Sequence, residues 1–484
     1  MKTLTMPNDS RQVLTEGKNF TVKHHLCFIV NRRGIFFTLF YFALLTSFMS
    51  CKKEGLNTSP TSSSSSFPSS FSSSSSDLKN AQTYPSEIIR KWIVMQLRLM
   101  RDATGIPNVA FSRYYAYSGI AALEALTPGL PESEALSGKW NGLTGLPVTD
   151  KSKSYYWPAS VNTALATMNR DIFTTANTAD KASIDSLETA LNNSFRSISN
   201  AEVITRSNSF GKSIADVVFN WSETDGYKNA NNAYTPPIGF GLWVSTPPAF
   251  AKAITPYWGN NRTAVAGSII NTQPGAPIPY SEEPSSPFFH MVKQLYDASQ
   301  NLTPEQISMA LFWRDIPGVT SPGHWLSILK QVLQQTHASI AKAALAYAVT
   351  GVCLNDASIS CWQTKYHYNQ VRPITYIRNV MGFTTWNSTL STPAHPEYSS
   401  AHAVISSATA DALTAIFGNI GNFTDHTYDY MGFAPRTFIS FKAIGEDAGN
   451  SRFYAGIHYQ PSIDTALIQG RKVTTNILEI LKLH

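Results

Sequence analysis

The sequence predicts an all-α fold: a helical bundle that follows an N-terminal signal peptide and a serine-rich tether. Apolar residues recur at helical spacing through most of the chain, for example at Ile89, Trp92 and Met95. No alternating run of apolar and polar residues is long enough to predict a substantial strand. Hydrophobic residues make up 43% of the chain and charged residues 14%, a composition typical of a densely packed globular protein.

The helical pattern recurs along the whole body of the chain, and one long interruption separates two groups of helices. The predicted helices are 86–101, 108–126, 158–175, 180–198, 208–222, 288–299, 304–314, 324–351, 361–381, 397–417, 437–449 and 461–481. Residues 223–287 are rich in Gly, Pro and Asn and predict loops. Thr303 and Gln306 have the spacing of a capping box, with Pro304 at the first helical position.

The N-terminal residues are typical of an export signal. Two arginines precede a mostly apolar stretch at 35–49, which is shorter than a membrane-spanning helix requires. A small residue followed by Cys51 resembles the lipobox of bacterial lipoproteins. We therefore expect residues 1–50 to be a lipoprotein signal peptide and Cys51 to be lipidated. An ordinary signal peptide or a short membrane anchor is the alternative.

The segment after the signal predicts a flexible, disordered tether. Residues 58–76 are mostly serine and too polar to bury any surface. We expect residues 51–77 to connect the lipid anchor to a globular domain at 78–484. The protein would then be exported to the periplasm or the outer-membrane surface of a bacterium, and its lipid anchor would be its only contact with the membrane.

The net charge of +6 does not indicate nucleic-acid binding. Residues 1–50 contain six basic and two acidic residues, so +4 of the charge lies in the leader. The remaining 32 basic and 30 acidic residues leave only +2, without the basic stripe that nucleic acid requires. Cys353 and Cys361 are compatible with a disulfide or with two buried thiols, and their spacing is not that of a zinc site.

Three short segments near the C-terminal end contain residues suited to holding an oxyanion. They are Lys365-Tyr-His-Tyr-Asn-Gln-Val-Arg372-Pro373, Ser399-Ser400-Ala401-His402, and Ser451-Arg452-Phe-Tyr-Ala-Gly-Ile-His458. The three cations supply permanent positive charge, and imidazoles titrate near neutral pH. If these segments pack into one core, their cations need an anion to neutralise them.

Each segment also has a plainer explanation when taken alone. Lys365 and Arg372 lie seven residues apart, so we expect both on one face of a single helix that Pro373 kinks; such a pair is often solvated. Ser400 and His402 begin an apolar helix, where a serine cap and an incidental histidine are common. The third segment, with a chain break at its glycine, fits a solvated arginine and a core histidine.

The order and spacing of the three segments resemble the signature Lys-x6-Arg-Pro, Pro-Ser-Gly-His and Ser-Arg-x5-His. This is the signature of the type 2 phosphatidic acid phosphatase superfamily, which includes the vanadium-dependent haloperoxidases. Four further segments, 111–117, 284–288, 312–315 and 323–325, look like the soluble haloperoxidase branch. The resemblance spans about 78–484, implies an all-helical bundle of the haloperoxidase and acid phosphatase type, and places the catalytic part at about 322–484.

The resemblance implies a role for each residue. His458 would bind the vanadium of vanadate, or act as the nucleophile of a phosphatase with phosphate in its place. His402 would be the general acid–base, because proton transfer accompanies peroxide activation. The groups that would neutralise or hydrogen-bond the equatorial oxygens are Lys365, Arg372, Arg452, the Ser400 hydroxyl and the Ala401 N–H. The partners would be hydrogen peroxide and a halide or small organic substrate, and the aromatic helices would also allow a homo-oligomer.

Two departures from the signature concern the tightness of the site and the orientation of its histidines. Ala401 stands where the family has glycine; it keeps the N–H donor but adds a methyl group. Position 462 is serine, although the family often has a carboxylate four residues after the last histidine. Asp464, Asp447 or Glu446 could orient a histidine instead, and the sequence leaves that assignment open.

Two residues bear on the choice of halide. His395 lies seven residues before His402, where the sequence looks like bromoperoxidases, and Trp362 lies three before Lys365, as in chloroperoxidases. The mixture favours bromide or iodide over chloride. Three functions remain: a vanadium-dependent haloperoxidase, a phosphatase that uses the same residues, and a non-catalytic lipoprotein that binds an oxyanion at the cell surface.

Overall fold

The fold is all-α, as predicted. A computed structural model describes residues 80–132, 135–315 and 320–483, which belong to one compact unit. The predicted signal peptide at 1–50, the lipidated Cys51 and the tether at 51–77 lie outside these residues. The helices are α1 (Glu87–Asp102), α2 (Ala110–Glu124), α3 (Trp157–Ile172), α4 (Thr178–Phe195), α5 (Ala201–Ser222), α6 (Pro287–Gln300), α7 (Pro304–Phe312), α8 (Ser321–Gln335), α9 (Ile340–Tyr368), α10 (Pro373–Asn379), α11 (Ala401–Phe417), α12 (Phe441–Tyr454) and α13 (Gln460–Leu481).

Two short strands form the sheet found among the described residues. Strand β1 (Phe423–Asp425) pairs antiparallel with β2 (Arg436–Phe438). The sequence analysis expected no strand of useful length, and each strand has only three residues. A pair this short is a local hairpin-like contact between α11 and α12 and adds no layer to the bundle.

Helix α9 is the central element of the core. It packs most extensively against α2 and also against α11 and α13. Among the described helices it is the one whose length and hydropathy would allow it to cross a membrane, but 94% of its apolar window is buried inside the protein. Its side chains are therefore covered by other helices on nearly every side, as expected for the core helix of a large bundle.

Two of the predicted helices are each divided by a short polar stretch. The pattern at 324–351 predicted one helix, but α8 ends at Gln335 and α9 begins at Ile340, after His337 adopts a positive φ of 48°. The pattern at 361–381 also spans two elements, because Asn369 ends α9 with a φ of 47°. The expectation that Lys365 and Arg372 share one helical face is therefore wrong.

Pro373 begins a helix and does not kink one. Arg372 is the N-cap residue of α10, and Pro373 occupies its first helical position. Proline is favoured there because the missing N–H would have no intrahelical partner. The capping box predicted at Thr303 and Gln306 is confirmed at the start of α7, with Pro304 at the first position.

The long loop region before α6 is held to the core by a carboxylate on α9. Asp356 is fully buried and accepts hydrogen bonds from the backbone N–H groups of Ala264 and Val265 and from the hydroxyl of Ser268. Burial raises the pKa of Asp356 to about 6. Backbone N–H groups that a loop cannot pair internally are thus satisfied by one side chain.

The two cysteines that the sequence analysis left open are free. Cys353 and Cys361 are both buried thiols on α9. Burial raises the pKa of Cys353 to about 12, so its thiolate is not formed at neutral pH. Their environment is that of small core side chains.

We predict that Gly119→Ala destabilises the bundle where α2 crosses α9. A Cβ at Gly119 would lie 2.7 Å from both the Cα of Ala348 and the carbonyl oxygen of Tyr347. The helices would have to separate, at a cost of about 1–3 kcal/mol. Thermal or urea unfolding measures the loss, with Gly275→Ala as a matched control because a Cβ there meets nothing within 4 Å. Equal stability of the two variants would contradict the prediction.

Candidate active site

The three predicted segments meet at the ends of five helices. Lys365 lies in the last turn of α9 and Arg372 at the start of α10. Ser400 is the N-cap residue of α11, Arg452 lies in the last turn of α12, and His458 immediately precedes the N-cap residue of α13. We refer to Lys365, Arg372, Ser400, His402, Arg452 and His458 as the cage residues. All six are buried.

Each cage cation is held by backbone carbonyl oxygens. The Nζ of Lys365 donates to the carbonyls of Pro396 and Glu397, both at 3.0 Å. The Nη2 of Arg452 donates to the carbonyl of Ala310 at 3.1 Å. A carbonyl carries a partial charge only, so these bonds fix the side chains without neutralising them.

Arg372 is fixed at every nitrogen of its guanidinium. Its Nε donates to the carbonyl of His395 at 2.8 Å, and its Nη1 donates to the carbonyl of Ile457 at 2.9 Å. Nη1 also lies 3.3 Å from His458 Nε2, and Nη2 lies 3.0 Å from His395 Nδ1. Because an arginine only donates, His458 Nε2 accepts this contact and carries no proton.

The carboxylate that contacts His458 comes from Glu397. Its Oε1 lies 2.8 Å from His458 Nδ1 and accepts from the backbone N–H of Tyr459 at 3.1 Å, while its Oε2 accepts from the hydroxyl of Ser462 at 2.7 Å. With Nε2 accepting from Arg372, the proton of a neutral His458 must be on Nδ1. The partners thus select the tautomer whose Nε2 carries no proton, so that its lone pair can accept a hydrogen bond or bind a metal.

Sequence reasoning missed Glu397. The alternatives it left open, Asp464, Asp447 and Glu446, are bound elsewhere: Asp447 accepts from Trp313 and Arg436, and Glu446 from Arg471. Asp464 accepts from Gln460. The serine at position 462 was the available signal, because a histidine without its expected carboxylate predicts that another segment supplies one.

His402 is held by the segment that follows α7. Its Nε2 lies 3.0 Å from the carbonyl of Trp313, so this nitrogen donates, and 3.6 Å from Oδ2 of Asp315. Asp315 belongs to a segment that the resemblance singled out, but the sequence analysis gave it no role in the site. Burial, and then the charge of Arg452, hold the pKa of His402 well below its usual value.

Burial dominates the electrostatics of the cage. It lowers the pKa of Lys365 and lowers the pKa values of Arg372 and Arg452 to about 10. Burial also holds the pKa of His458 well below its usual value, and the charges of Arg372 and Lys365 lower it further. These are the directions expected when like charges share a dry site.

The cage contains an excess of positive charge within the part of the chain that the structure describes. The negative charge of Glu397 raises the pKa values of Lys365 and Arg372, and that of Asp315 raises the pKa of Arg452, each against the larger effect of burial. Two carboxylates therefore face three cations. In addition, the buried hydroxyl of Ser400 has no hydrogen-bond partner among the described residues. A buried donor without a partner and a surplus of cations both fit a bound oxyanion.

The two residues considered for the halide lie together beside the cage. The rings of Trp362 and His395 are 5.3 Å apart between centroids, and Trp362 Nε1 donates to the hydroxyl of Thr255 at 3.0 Å. His395 also contacts Arg372 through Nδ1. The two rings thus lie next to a buried cation of the cage.

Comparison with known proteins identifies the family. The crystal structure of the first bacterial vanadium-dependent iodoperoxidase matches with a TM-score of 0.74 and 31% identity, covering 82% of this chain and 97% of that chain. The chain belongs to the vanadium-dependent haloperoxidase family. A profile of the VCPO second helical-bundle domain matches residues 345–484, which include the whole cage. No curated protein matched the sequence.

More distant haloperoxidases share the fold. Holo and apo structures of a bacterial vanadium-dependent chloroperoxidase match with TM-scores of 0.60 and 0.59. Their identities are 16% and 15%, and the matches cover 77% and 78% of this chain and 92% and 95% of theirs. At these identities the likeness concerns the helical architecture alone. The shared architecture covers nearly the full length of those two chains.

We predict that millimolar phosphate stabilises this haloperoxidase-family protein through the cage. An anion that binds only the folded state adds about 2.7 kcal/mol when its concentration is about 100 times its Kd. Arg452→Gln should lose most of this gain, because one cage cation is removed. The matched control is Arg471→Gln, a partly exposed arginine paired with Glu446. Thermal unfolding with and without phosphate measures the gain, and equal gains in all three proteins would contradict the prediction.

Proposed function

We propose that this protein oxidises iodide or bromide with hydrogen peroxide to hypohalous acid, at a vanadate held by the cage residues. The observation that supports this most directly is the unprotonated Nε2 of His458 among three buried cations. An unprotonated nitrogen is what a metal requires, and the cations match the charge of the vanadate oxygens. The iodoperoxidase at 31% identity supports iodide as a substrate.

The donor set of the cage fits vanadate. Lys365, Arg372 and Arg452 would neutralise the vanadate oxygens, and the Ser400 hydroxyl would gain the partner that it otherwise lacks. The N–H of Ala401, at the first position of α11, would add a donor, because the first N–H groups of a helix have no intrahelical partner. Vanadate supplies Lewis-acid activation of the peroxide when it is bound.

His402 is suited to moving the proton of hydrogen peroxide. Burial keeps its pKa low, so the imidazole is neutral at neutral pH and can accept a proton. Its Nε2 is held at the Trp313 carbonyl, so the ring is fixed with Nδ1 as the accepting atom. The nearby carboxylate of Asp315 would stabilise the imidazolium that forms, until the proton is returned to the product.

Trp362 and His395 form the proposed halide pocket. Their contact next to Arg372 offers polarisable ring surface and positive charge together. Bromide and iodide are larger and more easily desolvated than chloride, and a pocket of this kind favours them. The mixed sequence pattern at these two positions supports the same preference.

A phosphatase is the second candidate, because the same cage would hold phosphate. The unprotonated Nε2 of His458 could attack a phosphorus atom as readily as bind vanadium, and the cations would stabilise the transferring group. A non-catalytic protein that holds an oxyanion in the cage is the third. For location, we propose an exported lipoprotein anchored through Cys51, on the N-terminal sequence pattern alone.

The first prediction for this proposal concerns halide oxidation by the purified protein. Iodide and bromide oxidation with peroxide should depend on added vanadate. His458→Ala should reduce it to the level seen without vanadate, and His402→Ala should lower kcat by about 100- to 10,000-fold because the proton acceptor is lost. His290→Ala, an exposed histidine on α6, is the matched control.

The same protein preparations distinguish the three candidates. Phosphomonoester hydrolysis that vanadate inhibits, without halide oxidation, would favour the phosphatase. Inactivity in both assays, with phosphate still bound by the unaltered protein, would favour the non-catalytic binding protein. Halide oxidation that persists in His458→Ala would refute the assignment of the metal ligand.

A second prediction concerns the halide. His395→Phe removes the nitrogen that contacts Arg372 while keeping a ring against Trp362. We expect kcat/KM for bromide to fall by about tenfold, the size of one lost pocket contact, and kcat/KM for iodide to fall less because iodide is easier to oxidise. Steady-state kinetics with both halides measure the ratio. An equal loss for the two halides would exclude a role of His395 in halide choice.

A further inference from the structure

Glu397 connects three parts of the cage. Its backbone N–H donates to the carbonyl of Gln370, in the loop that leads to Arg372, at 3.0 Å. Its own carbonyl accepts from Lys365, and its carboxylate contacts His458. The side chain is completely buried. A displacement of this one residue would therefore reach all three neighbours.

The carboxylate of Glu397 is itself fully occupied by donors. Oε1 is shared by His458 Nδ1 and the N–H of Tyr459, and Oε2 is bound by the Ser462 hydroxyl. Three donors that bind one buried carboxylate hold it in a single orientation. Ser462 lies one turn into α13, so the helix that follows His458 locks the group that orients His458.

We propose that Glu397 is a positioning residue that makes His458 a metal ligand through Nε2, with Ser462 as the clamp that holds the carboxylate. This inference rests on the proposed function and adds to it the origin of the orienting carboxylate. The hydrogen bond at Nδ1 fixes the ring and its tautomer, and it increases the electron density at Nε2. Glu397 does not touch the bound anion and acts through His458.

This role separates two contributions to anion binding. Vanadate can form a bond to His458 Nε2, so its affinity should depend on Glu397. Phosphate at equilibrium is held by the cations and the hydroxyl of Ser400, and the negative charge of Glu397 opposes it. Removal of Glu397 should therefore weaken vanadate binding and leave phosphate binding as tight or tighter. A purely structural role would weaken both, because a collapsed cage holds neither anion.

The test measures equilibrium binding of orthovanadate and of inorganic phosphate to the full metal-free protein by isothermal titration calorimetry. Vanadium NMR gives a second measurement for vanadate. Glu397→Ala should weaken vanadate binding by about 10- to 100-fold and leave phosphate binding as tight or tighter. Glu397→Gln keeps an acceptor for Nδ1–H but loses the charge, so its vanadate affinity should lie between wild type and Glu397→Ala. Ser462→Asp in the Glu397→Ala background should regain vanadate affinity, since position 462 adjoins the vacated space.

Asp464→Asn is the control, because it removes an exposed carboxylate from α13 that contacts Gln460. Its two affinities should match those of the unaltered protein. Thermal unfolding of every variant reports whether it is folded. If Glu397→Ala is unfolded, the vanadate and phosphate affinities of Glu397→Gln test the inference instead. Unchanged vanadate affinity in the Glu397 variants, or an equal loss for both anions, would overturn the inference. If the unaltered protein bound phosphate but not vanadate, the proposed function itself would fail.

Discussion

The burial of three cations in one helical core is the constraint on which the rest of the structure depends. Lys365, Arg372 and Arg452 lose most of their hydration, and the carboxylates of Glu397 and Asp315 compensate only part of their charge. An uncompensated buried cation is among the most costly features a protein can contain. In the proposed function an anion bound in the cage offsets this cost, so the burial of the cations favours anion binding.

Backbone carbonyls are the main acceptors for these cations, and this explains why helices end here. Inside a helix each carbonyl is already bonded, so only chain breaks and the last turns of helices offer free ones. The acceptors come from such places: His395, Pro396, Glu397 and Ile457 lie in segments between helices, and Ala310 lies in the last turn of α7. The breaks at Asn369 and Gly456, both with positive φ, are therefore part of the site.

The sequence predicted the fold class, most helices and the content of the cage, because those depend on local patterns. Periodic apolar residues predict a helix wherever they occur, and the order of the three segments is visible in one dimension. The break after Gln335 and the one at Asn369 were missed because each is a short polar stretch beyond which apolar residues resume. Glu397 was missed for a different reason: its contact with His458 joins residues 61 positions apart, and no local pattern reports a pair at that distance.

The alanine at position 401 is less of a weakness than the sequence comparison implies. Glycine is required only where φ is positive, and Ala401 is instead the first helical residue of α11, after a Ser400 with an ordinary φ of −69°. A right-handed helical residue accepts alanine without strain. The N–H at position 401 is therefore presented as it would be by glycine, and the methyl group affects only the space beside the anion that we propose. The difference from the family pattern thus concerns the size and access of the pocket and leaves the geometry of the oxyanion donors intact.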